Sequence, residues 1–164
     1  MKNKIIILVI VFMIILSGCS KGNSNTIDVA IKKGDYSSIC TKEEDSDGIK
    51  VTTVTTTNYG KDKYAISMKV KAVYEFESKD TFDFYAEEAE NTAETYKKMK
   101  DTIYNYSTDE NKRSITTVLG YPQLDIPEEE KGNYSLEKMI EDSEKDGGKC
   151  QLIGIARESI ELNN

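Results

Sequence analysis

Between Tyr64 and Phe76 apolar and polar residues alternate for thirteen positions. Tyr64, Ile66, Met68, Val70, Ala72, Tyr74 and Phe76 fall on one side, and Ala65, Ser67, Lys69, Lys71, Val73 and Glu75 on the other. Period two predicts a strand with one covered face, the habit of antiparallel sheets. The Val- and Thr-rich stretch from Ile49 to Thr57, joined to it by Asn58-Tyr59-Gly60-Lys61-Asp62, predicts a hairpin partner. The period then changes: Phe82, Tyr85, Ala86, Ala89, Ala93, Tyr96 and Ile103 recur at three- and four-residue steps, one stripe of a helix. Asp80 is the expected N-cap, and Lys97, Lys98 and Lys100 come late, where they favour the helix dipole. Thr102 to Ser107 and Ser114 to Tyr121 read as a second strand pair around the polar turn Thr108 to Asn111. Pro122 and Pro127 end regular structure. Ser135 opens a second helix, with Leu136, Met139, Ile140 and Ser143 on one side, and Gly147-Gly148 stops it. Residues 151–158 are expected to add a short strand. The expected fold is α+β, an antiparallel β-sheet with two helices packed on one face, in a single domain over residues 27–164.

The first twenty-six residues obey a different pattern. Met1-Lys2-Asn3-Lys4 is a short positive segment, and Ile5 to Leu16 is an unbroken apolar run. That is the form of an export signal. A helix of this length rises about 18 Å against the roughly 30 Å of a bilayer core, which makes a permanent transmembrane helix the weaker reading. Leu16-Ser17-Gly18-Cys19 then has the form of a lipobox: an aliphatic residue, two small ones, and Cys. By resemblance to bacterial lipoprotein precursors, residues 1–18 are a cleaved signal peptide recognised through Leu16, Ser17 and Gly18, and the Cys19 thiol receives the diacylglyceryl group. Two acyl chains give stable anchoring, whereas one gives only marginal binding. Residues 19–26, polar and without periodicity, read as a lipidated flexible tether with a reach of about 15 Å. The expected location is the extracytoplasmic face of the cell membrane.

Charge narrows the partners. The chain has 22 Lys and Arg against 29 Asp and Glu, a formal charge of −7, and removing Lys2 and Lys4 takes it to −9. That balance argues against nucleic acid, whose recognition needs clustered cations. It also keeps the domain off anionic lipid, so the lipid on Cys19 is expected to be the only membrane contact, and the domain reads as a monomer. With Cys19 lipidated, Cys40 and Cys150 remain. Two thiols in an exported domain suggest one disulfide, with two free thiols as the other reading.

Few motifs suggest chemistry. The chain has no His, which removes the commonest general base and the commonest zinc ligand. Ser135-Leu136-Glu137-Lys138 matches the S-x-x-K of penicillin-binding proteins, but neither Ser-Asp-Asn nor Lys-Thr-Gly accompanies it, so a helix-capping serine is expected. Glu43-Glu44-Asp45-Ser46-Asp47-Gly48 begins like a calcium loop, yet Val54 stands where the bidentate Glu belongs, and the segment reads as a solvated acidic turn. No catalytic residues, metal site or cofactor are expected. Of the ten tyrosines, Tyr59, Tyr104, Tyr106 and Tyr134 are least explained by periodicity and are candidates for a binding surface, a phenol having an apolar body and a polar tip.

The succession of a lipobox, a Cys, the strand Lys50-Val51-Thr52-Thr53-Val54, a second strand, a helix with Tyr96 near its end, two further strands, a helix and Cys150 resembles the small YehR-like lipoproteins over roughly residues 40 to 150. The resemblance implies fold and location, and no catalytic residues. The expected role is non-catalytic binding of a small-molecule or peptide ligand. A structural lipoprotein docking on an envelope protein or on cell wall is the alternative.

Overall fold

The computed structural model describes residues 27–154. Leu16, Ser17, Gly18, Cys19 and the tether lie outside them, as does the end of the strand expected over residues 151–158. The fold is α+β, with six strands in one open antiparallel sheet: β1 (Tyr36–Ser46), β2 (Ile49–Tyr59), β3 (Ala65–Phe76), β4 (Ile103–Asp109), β5 (Ser114–Tyr121) and β6 (Lys149–Gly154), in spatial order β4-β5-β3-β2-β1-β6. Helix α1 (Lys79–Tyr96) links β3 to the edge strand β4. A 3-10 helix, η1 (Glu128–Tyr134), and helix α2 (Leu136–Lys145) link β5 to the opposite edge, β6.

Strand register decides which side chains share a face. Phe76 pairs with Ile49, and Tyr74 with Val51 and Ile115, which puts these five on one face. There Phe76, Phe82, Ala89 and Ile115 form a buried cluster under α1, where each large side chain contributes about 1.5–3 kcal/mol by leaving water. The same face at the other side of the sheet holds Tyr59, Ala65 and Leu136, packed by Met139 and Ile140 of α2. Both α-helices therefore cover one face, as the sequence predicts.

The period-two reading of β3 is correct from Met68 onward and fails before it. Between Asn58 and Tyr59 the β2–β3 register shifts, so that Asn58 pairs with Ser67 but Tyr59 with Ala65. The bulge turns Ala65 into the helix-side core while Ser67 points to the other face; both are buried, at 4% and 0% exposure. Ser67 is covered by the segment that precedes β1. Residues 27–35 cross the second face of the sheet as an extended strap. Asn58 Nδ2 and Ser67 Oγ both donate to the Lys32 carbonyl, at 2.8 and 2.6 Å. The Lys32 N–H donates to Pro122 O and the Asp35 N–H to Tyr59 O, and Lys69 Nζ holds Asp28 at 2.7 Å.

Val29, 3% exposed, is wedged beneath this strap against Gly120, where an added Cβ would stand 2.3 Å from Val29 Cγ1. Gly120→Ala is therefore expected to cost about 1–3 kcal/mol by overpacking, and to cost little in a Val29→Ala background. Urea midpoints of the four proteins in that cycle check this. An equal cost in both backgrounds would remove Val29 as the cause.

Several element boundaries correct the sequence reading. Strand β1 was not expected: Cys40 lies within it rather than upstream of the first strand, and Glu43 to Ser46 are strand residues, not a turn. The turn is only Asp47-Gly48, with φ of 53° and 73°, the left-handed pair of a two-residue hairpin. The N-cap of α1 is Ser78, whose Oγ accepts from the Thr81 N–H at 3.1 Å, and Asp80 falls inside the first turn. The helix ends at Tyr96, so Lys97, Lys98 and Lys100 lie beyond it and Ile103 opens β4.

Candidate ligand-binding surface

Aromatic side chains gather where the helix-covered face meets the ends of α1 and η1. Tyr104 and Tyr106 sit two apart on β4 and face α1, their ring centroids 6.4 Å apart. Tyr96, on the last turn of α1, stacks on Tyr104 at 5.3 Å with the planes 14° apart. Tyr121 ends β5 on the same face, opposite Met68, with its phenol near enough to those of Tyr96 and of Tyr134, the last residue of η1, for both to raise its pKa. Tyr106, Tyr104, Tyr96, Tyr121 and Tyr134 thus run as a band from α1 toward α2, each ring half-buried. Burial holds the phenols of Tyr96, Tyr104, Tyr106 and Tyr121 above their usual pKa, and at Tyr104 the neighbouring phenols add to it. These hydroxyls are neutral at physiological pH, so the band offers apolar ring faces with hydrogen-bonding tips.

Two of the four tyrosines singled out from the sequence need comment. Tyr59 belongs to the core: it has 0% exposure, and its hydroxyl is 2.8 Å from Ser38 Oγ. Burial raises its pKa, against the lowering effect of bonds to Ser38 and Thr57. It cannot take part in a binding surface. Tyr134 is in the band but also packs against the Tyr59–Leu136 cluster. Tyr96 was absorbed by the helical stripe and Tyr121 by the end of the expected strand, and only register and helix ends place them in the band.

The remaining motifs resolve structurally. Ser135 caps α2, its Oγ accepting from the Lys138 N–H at 3.3 Å and donating to Gly132 O at 3.2 Å. The Lys138 ammonium is bound to Asp142, not to the serine. Glu43 and Asp45 alternate with Glu44 and Ser46 along β1 and so point to opposite faces. Among the described residues no three His, Cys, Asp or Glu are grouped to hold a metal ion, and no helix is long and apolar enough to cross a membrane. Cys40 and Cys150 are directly opposite across β1 and β6 and are bonded, with Cα atoms 4.0 Å apart. The bridge ties an edge strand to the sheet rather than a helix end to its start. An open cleft of about 360 Å³ at the far end of the sheet, lined by Lys79, Phe82, Glu110, Asn111 and Arg113, has its Lys79 engaged by Asp83 at 2.7 Å.

Comparison with protein-family models, with curated proteins and with solved structures returned no match.

Proposed function

We propose that the chain is a membrane-anchored extracytoplasmic lipoprotein, lipidated at Cys19 after loss of residues 1–18, whose domain binds a ligand without catalysis. The likeness to the YehR-like lipoproteins belongs to the same proposal. The observation that supports ligand binding best is the half-buried tyrosine band from Tyr106 to Tyr134. Rings that present a face and a hydroxyl together suit a sugar ring or an extended peptide, and the mean burial of the band leaves a shallow site rather than an enclosed one. The Cys40–Cys150 bond fits an oxidising compartment outside the cytoplasm.

The test is a thermal-shift screen of the mature protein against short peptides, sugars and cell-wall fragments. A ligand at one hundred times its dissociation constant stabilises by about 2.7 kcal/mol. Tyr121→Ala is expected to abolish the shift while the fold persists, because Tyr121 lies at the rim of the sheet. A shift that survives Tyr121→Ala would move the site elsewhere.

A second reading has its own observation. On the edge strand β6, Leu152 and Ile153 are 55% and 48% exposed, and an edge that carries no proline and whose single charge, Lys149, stands at its start is a template for pairing with another chain. An envelope-protein partner adding a strand there would leave the ligand screen flat, and Leu152→Lys would abolish its capture.

A further inference from the structure

The strap and the loop between α1 and β4 lie at the same end of the sheet: β4 starts there, β5 ends there, and the strap crosses there. Asn105 Nδ2 on β4 reaches the Asp28 carbonyl at 3.4 Å. Ile103, two residues earlier, points to the same face as Asn105. The first described residue, Ile27, therefore enters the domain beside the loop that runs from Lys97 to Ile103. In that loop Met99 is 47% exposed and Ile103 42%. Lys98 and Lys100 flank Met99, both exposed and in no ion pair among the described residues, while Lys97 is bound to Glu94; the exposed Asp101 follows Lys100, which leaves the two lysines with one carboxylate between them and Ile103. The acidic β1–β2 hairpin, with Glu43, Glu44, Asp45 and Asp47, is at the opposite end of the same strands.

The geometry points to a second membrane contact: we propose that Lys98, Met99, Lys100 and Ile103 rest on the lipid surface that holds the anchor, with Met99 and Ile103 at the acyl boundary and the two ammonium groups among anionic headgroups. This rests on the reading of Cys19 as the lipidated residue. From Cys19 to Ile27 the chain spans at most about 28 Å, so this end of the sheet cannot stand far from the bilayer. An ammonium at an anionic surface favours the bound state about fivefold. Two such groups beside exposed apolar side chains make a weak site that only a tethered domain would fill, since tethering raises the local concentration of membrane to which the loop is presented. The strap makes the arrangement specific. Its bonds to Asn58, Ser67, Pro122 and Tyr59 fix where the tether leaves the domain, and hence which end meets the membrane. The tyrosine band on the helix-covered face opens at this same end, so the ligand site would lie close above the headgroups, and the acidic hairpin would be the outermost part.

The test uses the full-length lipidated protein, purified from bacterial membranes and placed in vesicles of phosphatidylglycerol and phosphatidylcholine. A photoreactive benzoylphenylalanine is introduced as Met99→benzoylphenylalanine and, separately, as Asp47→benzoylphenylalanine. Cross-linking to phospholipid, read by mass spectrometry, is expected at Met99 and not at Asp47. With Lys98→Gln and Lys100→Gln added, the Met99 yield is expected to fall about 25-fold, two steps of fivefold. Equal yields at both positions, or a Met99 yield indifferent to the lysines, would overturn the proposed contact. Failure of the anchor reading looks different: the intact mass of the purified protein would then show residues 1–18 retained or no diacylglyceryl group on Cys19, whatever the cross-linking result.

Discussion

Replacing Cys40 and Cys150 together by Ala is expected to lower the unfolding free energy by about 4 kcal/mol, and with it the melting temperature by on the order of 15 °C. The two cysteines are 110 residues apart, so in the unfolded chain the bond closes a loop that includes nearly every described element. Its effect on chain entropy is correspondingly near the upper end for a single bridge. In the native state the bond sits where the sheet is weakest. Strand β6 is six residues long, pairs among the described residues only with β1, and presents Leu152 and Ile153 to solvent. Outside the ladder its main support is α2, whose own buried anchor is Leu136. The variant should therefore lose stability in two stages, with amide exchange in Lys149–Gly154 rising before that of β2 and β3. Urea unfolding of the oxidised protein, of the reduced protein and of the double variant measures the first effect. Coincident midpoints for all three would mean that the bond adds nothing the ladder does not already supply. The exposed β6 edge also makes aggregation the expected companion of the loss, since a frayed apolar strand pairs with its neighbours.

How far these elements could be read from the sequence follows from how much of each signal is local. Strand β3 and helix α1 were legible because each keeps one period over most of its length, from Met68 to Phe76 and from Phe82 to Tyr96, and charged residues mark the second face of each. Strand β1 was not. Tyr36-Ser-Ser-Ile-Cys-Thr has apolar residues on both faces, the next four residues are acidic or polar, and nothing in the run alternates. One local signal could have found it: Asp47-Gly48 ahead of a Val/Thr strand is a two-residue hairpin turn, and a hairpin needs a strand on its other side. The strap had no such signal, because its order comes from distant partners. The bonds to Asn58 and Ser67 join residues 26 and 35 positions apart, and only the bulge at Asn58/Tyr59 turns Ser67 toward them. The same bulge makes Tyr59 a core residue. In the candidate site the stacking of Tyr96 on Tyr104 depends on where α1 stops, which the run of lysines after Tyr96 obscured. The α1 cap was read as Asp80 and is Ser78, because both residue types cap well and both precede the stripe.

Above pH 10 the protein is expected to lose stability steeply, and Tyr59→Phe is expected to flatten the loss. Six phenols, those of Tyr59, Tyr74, Tyr96, Tyr104, Tyr106 and Tyr121, are raised above the ordinary value of 10, each first of all by burial. A phenol held protonated in the fold but free to ionise when unfolded adds its full stability below pH 10. That stability is lost as pH rises from 10 toward the raised folded value, at about 1.4 kcal/mol per pH unit. Tyr59, with 0% exposure, contributes the whole of that slope. Tyr104, where neighbouring phenols add to the effect of burial, contributes a slope of its own, and the more exposed tyrosines of the band contribute less, because water screens the phenolate they would form. At neutral pH, Tyr59→Phe gives up the hydroxyl contact with Ser38 at 2.8 Å and should be less stable than wild type by about 1 kcal/mol. As the pH climbs past 10 wild type pays for keeping Tyr59 neutral and the variant does not, so the two stabilities converge. Urea midpoints at intervals from pH 7 upward give both curves. A gap that stays constant across pH 10 would mean that Tyr59 ionises as readily folded as unfolded, which is incompatible with a phenol sealed between Ser38, Ala65 and Leu136.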